Sequence, residues 1–351
     1  MTISTAKPSA EAIRAARLEK PKSMERELAG ELGISEGEFV AAFCGASVVR
    51  IEPRLADLLP ALGTLGEVMA LTRNASAVHE KVGIYRNVTV GAHNALVLGG
   101  DIDLRIFPKH WVHAFAVEKT DGDTVKRSLQ FFDASGEAVH KVHLRPASDV
   151  AAYEALIARF RSDDQSTRIA VKTLADEQPS NEAGDADALR SKWEKLTDTH
   201  QFFGMLRSLK LTRHQAVHMI GADLAWQVEV DGATTMMEGA AQAQVPIMCF
   251  IGSRGCIQIH SGPVQTIKAM GPWINVLDEG FHMHLRSDHI TEVWVVRKPT
   301  SDGFVTSLEA YDSNGKLIIQ YFGKRHEGEG ELPAWRNLVE SLPRLAQSQA
   351  A

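Results

Sequence analysis

Three observations predict an α+β fold: a tandem duplicated domain, each copy with an N-terminal helix pair, an antiparallel β-sheet and a closing helix. The first is an internal repeat. Arg73 recurs as Arg254 and His79 as His260, both 181 positions on, and Leu104-Arg105 recurs as Leu285-Arg286 at the same spacing. The offset then drifts as short loop changes would make it drift. Lys119 meets Lys298, and turn 133–136 meets turn 312–315, at 179, while residues 35–38 meet 212–215 at 177. The second observation is that helical signals flank each copy and hairpin signals fill its middle. The third is that no strand–helix–strand alternation occurs, which favours antiparallel sheets.

In chain order, residues 1–22 read as an N-terminal arm, mobile or loosely docked. The first repeat spans 23–161. Residues 24–32 lead with a helix, and Ser35 with Glu38 caps a second one through Phe39, Val40 and Ala42. The run 68–71 is apolar enough for a buried strand. Ile102, Leu104 and Ile106 then alternate with Asp103, Arg105 and Phe107, which places the apolar trio on one sheet face. Turn 133–136 reads as a hairpin, and 150–161 closes the copy as a helix. Residues 162–190, rich in Asp, Glu, Ser, Gln and Asn, form the linker. The second repeat spans 191–346. Asp198 followed by Gln201 marks a helix start, and Phe202, Met205, Leu206 and Leu209 fall on one arc of that helix. Thr212 with Gln215 caps the next helix. Residues 247–251, the trio Phe281, Met283 and Leu285, the Asn314-Gly315 hairpin and helix 332–342, stopped by Pro343, follow in the same order.

Composition excludes several classes. At 44% hydrophobic and 23% charged, the 351 residues resemble an ordinary soluble globular protein, and no apolar run reaches bilayer length. The N-terminus lacks the apolar core of a signal peptide. Three cysteines without a CxxC pair argue against a disulfide framework and for a reducing cytoplasm. The net charge of −6 disfavours a surface built wholly for phosphate. Phosphate-loop, dinucleotide, nucleophile-elbow and zinc-protease motifs are absent.

The fourteen histidines are the compositional hint of ligand chemistry, and His200 is the sharpest. It projects away from the apolar arc, above Gly204, so a core role fits poorly. It is a solvated surface histidine or a ligand imidazole beside a glycine where a flat group can approach the backbone. The first copy has Ser23 there, so any such site is single. Arg105, on the polar strand face, and Lys298 and Gln320, next to apolar runs, are solvated side chains or donors into a cavity. Arg213, after the Thr212 cap, faces solvent or holds a carboxylate in two-pronged fashion. The pair His282 and His284 shares a strand face without a completing ligand at firm spacing. Residues 199–221 look like a helix-turn-helix with Lys210, Arg213 and His214, which makes a DNA-binding regulator an alternative. The matching pair at 24–42 carries five glutamates, and so reads as repeat architecture.

The order Thr197-Asp-Thr-His200-Gln-Phe-Phe-Gly204, with Gly100-Asp-Ile-Asp-Leu-Arg105-Ile-Phe-Pro and Trp111 in the first copy, resembles the cytoplasmic hemin-degrading or heme-trafficking proteins of Gram-negative heme-uptake systems, the HemS-like family. The resemblance extends over nearly the whole chain, including the closing Gln320-Tyr-Phe-Gly-Lys-Arg325. It implies heme b (iron protoporphyrin IX) in a cleft between the halves, with His200 as axial ligand to the iron. Arg105 would act from the other side, and Arg213, Lys298 and Gln320 would hold the propionates or line the pocket. It implies a carrier that receives imported heme and delivers it to a downstream heme oxygenase. The alternative is an enzyme that opens the porphyrin with an external electron donor. Members often carry a tyrosine two residues after the Gln320 position; Phe322 stands there and lacks the hydroxyl.

Overall fold

The structure is a computed structural model that describes residues 7–174, 184–325 and 328–345. The chain divides into two compact units. Unit 1 lies within Met1–Arg73, Glu80–Leu174 and Gly252–Gln258; unit 2 lies within Asn74–His79, Ala175–Ile251 and Ile259–Ala351. Each unit thus owns a short segment that a single cut in the 162–190 linker assigns to the other copy.

Unit 1 opens with helices α1 (Ala10–Glu19), α2 (Glu25–Glu31) and α3 (Glu36–Ala41). Strand β1 (Val48–Ile51), helix α4 (Leu55–Ala61) and strand β2 (Val68–Arg73) follow, then β3 (Ala77–Gly83), which starts in unit 2 and ends in unit 1. Short strands β4 (Val88–Val90), β5 (Ala95–Leu98) and β6 (Asp103–Ile106) precede the long strands β7 (His113–Asp121), β8 (Thr124–Phe132) and β9 (Ala138–Leu144), and α5 (Val150–Phe160) closes the copy. The main sheet runs β1-β7-β8-β9-β2, antiparallel at every step. Its inner face buries Ala114, Ala116, Leu129, Phe131 and Val142 against Leu58, Leu59, Tyr153 and Phe160.

Unit 2 repeats the plan. Helices α6 (Ala186–Trp193), α7 (Gln201–Leu209) and α8 (Arg213–Met219) lead to β10 (Ala225–Val228), α9 (Gly232–Gln242), β11 (Ile247–Gly252) and β12 (Cys256–Gly262). Strands β13 (Ile267–Met270), β14 (Trp273–Asp278) and β15 (Phe281–Arg286) form a meander. The long strands β16 (Glu292–Thr300), β17 (Gly303–Tyr311) and β18 (Leu317–Gly323) and helix α10 (Pro333–Glu340) complete it. The sheet order β10-β16-β17-β18-β11 matches that of unit 1. Even a register shift is shared: it falls between Phe131 and Phe132 in one copy and between Ala310 and Tyr311 in the other.

Four local features differ from the sequence reading. Residues 10–19 of the N-terminal arm are helical, because the Ser9 side chain caps Ala12 N–H and Ile13 packs beside Leu28, Ala29 and Phe39. Helices α4 and α9, between the first and second sheet strands of each copy, were not foreseen. In α9, Ala233, Met236, Met237 and Ala240 recur every three or four residues, and all are buried. The first part of the 162–190 linker is fastened to unit 1. There Gln165 bonds both the N–H and the carbonyl of Arg50, and Ile169 is buried. Its middle, 175–183, lies outside the described residues, and its end enters α6. The fourth difference is at the start of α7.

Candidate ligand site around His200

The start of α7 is built by Thr197, not by Asp198 as a cap. The Gln201 amide donates to the Thr197 hydroxyl at 3.0 Å, and its carbonyl accepts the Thr197 backbone N–H at 3.0 Å. This reciprocal pair frees the Asp198 carboxylate for another task. Asp198 Oδ1 accepts the His200 backbone N–H and meets His200 Nδ1, each at 2.7 Å. A carboxylate only accepts, so Nδ1 carries a proton, and in the neutral ring the lone pair then lies on Nε2. The Asp198 carboxyl is held below its usual range, chiefly by the His200 N–H it accepts, with the imidazole and the Arg325 guanidinium adding to the effect.

His200 is the residue before the first turn of α7, and its side chain is 90% exposed. The helix drives its other face inward, with Phe202, Met205 and Leu206 buried alongside Trp193. Phe203, beside His200, stays 57% exposed, and the space beside the Gly204 Cα is open. An outward imidazole, an exposed aromatic ring and a bare glycine therefore share one stretch of helix surface.

Beneath α7, three of the predicted residues converge on one that sequence reasoning missed. Arg213 Nη1, Lys298 Nζ and Gln320 Nε2 donate to Glu309 Oε1 at 2.8, 3.0 and 2.7 Å. Ser307 donates to the same oxygen, and the Tyr311 hydroxyl donates to Oε2. Glu309 and Gln320 are directly opposed across β17 and β18, while Lys298 comes from β16. Arg213 enters from the first turn of α8, where the Thr212–Gln215 capping box fixes the helix start as the sequence predicted. Burial opposes ionisation of Glu309, but Arg213 and Lys298 prevail and hold its carboxyl well below the usual range. Burial lowers the Lys298 ammonium to about 8, against the pull of Glu309. The network is thus ionised at neutral pH. Above it, Lys298 Nζ lies 4.7 Å from the Phe202 ring centre, and the Arg213 guanidinium lies 5.0 Å from both the Phe202 and Phe203 rings. The cations that carry α7 are therefore committed to an internal carboxylate and to two aromatic faces.

Unit 1 holds a mirror of this arrangement with the charges exchanged. At the position of Arg213 stands Glu36, and at those of Glu309 and Gln320 stand Gln130 and Lys141. Glu36 Oε1 accepts from Lys141 Nζ at 2.7 Å, and Arg73 pairs with its other oxygen. The helix-to-sheet tie is kept while its polarity reverses. Arg105, in unit 1, lies on the polar face of β6 as predicted, half-buried and paired with Asp103.

Asp198, Glu309 and Arg325 were not singled out from sequence. Asp198 was legible only as a cap, Glu309 reads as one acid among alternating strand residues, and Arg325 is 125 residues away from His200.

Comparisons with known proteins place these features in context. A model of the haemin-degrading HemS.ChuX domain matches residues 33–160 and again 210–342. The hemin transport protein HmuS of Yersinia pestis is 39% identical over 328 residues, covering 93% of this chain and 95% of that protein. The structure of holo-PhuS, a heme-binding protein from Pseudomonas aeruginosa, superposes with a TM-score of 0.92 at 44% identity, covering 96% of this chain and 98% of that one. The Escherichia coli O157:H7 heme degrading enzyme ChuS superposes at 0.88 with 36% identity, over 94% of this chain and 97% of its own.

Proposed function

Because the chain belongs to the haemin-degrading HemS.ChuX domain family, with two copies of that domain, we propose that it is a heme-binding protein that takes up hemin on His200 and passes it on. The observation that carries this reading is the Asp198–His200 pair. A carboxylate on Nδ1 fixes the tautomer, orients the ring and raises the basicity of the free nitrogen, as outer partners of metal-bound histidines do. The exposed Phe203 ring and the open space at Gly204 suit a flat apolar macrocycle. Heme would supply the iron that Nε2 binds. Arg213 and Lys298 support the site from below and set the pose of α7 through Phe202, Gln320 holds the Glu309 carboxylate that anchors them, and the Arg325 guanidinium acts on the Asp198–His200 pair. Arg105 is a further candidate donor to heme, tested on its own by Arg105→Ala.

The setting is a cytoplasmic one, with heme-import machinery upstream and a heme-consuming oxygenase downstream. No described helix is long and apolar enough to cross a membrane. A DNA-binding role for 199–221 loses its physical support, because the Arg213 guanidinium is bound to Glu309 and His214 to Glu292, which leaves little of that charge for phosphate.

Hemin titration in the Soret region is the test. The parent should bind one hemin with an imidazole-ligated spectrum that His200→Ala loses; an unchanged spectrum in the variant would remove His200 from the site. The similarity to the heme degrading enzyme ChuS supplies a second reading, in which the bound porphyrin is opened here. With reductant, oxygen and catalase, stoichiometric release of iron and a linear tetrapyrrole supports that reading; intact heme supports the carrier.

A further inference from the structure

Along α8 from Arg213, three side chains meet that the heme reading does not use. His214 and His218 stand one helical turn apart, and Glu292 opens β16 below them. His214 Nε2 lies 3.1 Å from His218 Nε2, and the two lie 3.0 and 2.9 Å from Glu292 Oε2. We propose that His214, His218 and Glu292 form a binding site for a divalent first-row transition metal ion, held on one face and open to solvent on the other.

The triangle has the dimensions of a metal site. Metal–ligand bonds of about 2.1 Å put neighbouring donors about 3.0 Å apart at right angles and about 3.4 Å apart at tetrahedral angles. All three edges match the right-angle case, which is one face of an octahedron. Two imidazoles and one carboxylate on such a face are a known ligand set for first-row metals.

Hydrogen bonding alone serves this triangle badly. The Trp294 indole N–H already donates to Glu292 Oε2 at 2.7 Å. If both imidazoles also donate to that oxygen, two N–H groups crowd each other at 3.1 Å; if one does not, its lone pair faces the carboxylate. A cation between the three atoms satisfies both nitrogens and the oxygen together.

The two imidazoles are also preorganised. His214 lies against Gly315, in the 312–315 turn at φ +70°, where a Cβ would come within 2.6 Å of Nδ1. It also meets the Tyr311 ring at a 5.2 Å centroid distance, and His218 meets Trp294 at 4.6 Å. The rings are held by packing, while the 42% exposed His218 side chain leaves the ion an approach from solvent. The first copy carries Gly37, Ala41 and His113 at these positions, so the site is single.

The test is titration of the full chain with Zn²⁺ and with Ni²⁺, each in competition with a chromophoric chelator. Loss of an outer-shell partner costs about 10–100-fold, so losing a ligand in His218→Gln should weaken binding by about 100-fold or more. His200→Ala should bind the metals like the parent, which separates this site from the heme site. Glu292→Gln, which keeps the side chain's shape, provides a second variant, and an unchanged far-UV spectrum establishes that each variant is folded. Binding of one equivalent that both folded variants weaken supports the proposal. A parent that binds neither metal, or variants that bind as the parent does, overturns it.

Discussion

At the scale of single residues, the site depends on which partner a charged group has chosen. His200 was legible from sequence as an imidazole off the apolar arc, but the Asp198 contact was not. Both Asp198 and Thr197 suit a helix start, and only the Thr197–Gln201 pair releases Asp198 to hold Nδ1. Asp198→Ala should leave the fold intact and weaken hemin binding by about 10–100-fold, read by Soret titration. Unchanged affinity would show that the carboxylate does nothing for the ligand. Glu309 teaches a complementary lesson. Arg213 was read as facing solvent or holding a carboxylate, and Lys298 and Gln320 as solvated or as donors into a cavity; the fully buried carboxylate that gathers them has no spacing signature. Glu309→Gln leaves two buried cations without their counter-charge, which costs about 3–5 kcal/mol. Urea unfolding should show that loss, and a change below about 1 kcal/mol would contradict the network's role.

At the scale of elements, periodicity carried most of the information. The helix pair, the alternating strands, both hairpins and the closing helices follow from capping boxes, two-residue alternation and turn residues. Helices α4 and α9 escaped because α4 contains Pro60 and has no side-chain cap, while α9 has two glycines and no side-chain cap either. α7 is held by its apolar face, and Phe202 is the centre of it, edge-on to Trp193 and over Lys298. Phe202→Ala should cost about 3–5 kcal/mol by the cavity it leaves. It should also loosen His200, so hemin affinity falls although Phe202 lies on the opposite helix face. Full affinity in that variant would mean that His200 is positioned locally.

At the scale of the whole molecule, the duplication was legible because the offsets 177, 179 and 181 recur in order. The assignment of Asn74–His79 to unit 2 and Gly252–Gln258 to unit 1 was not, since no local pattern records which unit a strand segment joins. The copies have also diverged electrically. Unit 1 buries Glu36, whose carboxyl Lys141 and Arg73 hold at about 2 against burial, and His140, which burial and the His143 charge push down to about 3. Both folded values lie below the unfolded ones, 4.5 and 6.5, so the unfolded chain takes up protons first. Stability is therefore lost as pH falls, through His140 from 6.5 to about 3 and through Glu36 from 4.5 to about 2. Trp111 is the only tryptophan of unit 1, its ring 5.7 Å from that of His140, and in the 5-fluorotryptophan-labelled chain its own fluorine resonance reports the unfolding of that unit. Its urea midpoint should drop between pH 7 and pH 5, a slope that His140→Gln reduces and does not abolish, because burial pushes His143 of the same unit down to about 3 as well. Equal midpoints at both pH values in the parent would contradict the assignment.

Heme ligation rests on the free nitrogen of His200, which a single substitution can remove and an added ligand can restore. His200→Gly removes the imidazole and leaves room for a small molecule, so hemin titration of this variant with and without added imidazole isolates the ligand from the fold. The account predicts an altered Soret band in the variant alone and recovery of the parent spectrum as imidazole is added. A variant that shows the parent spectrum without imidazole would contradict it.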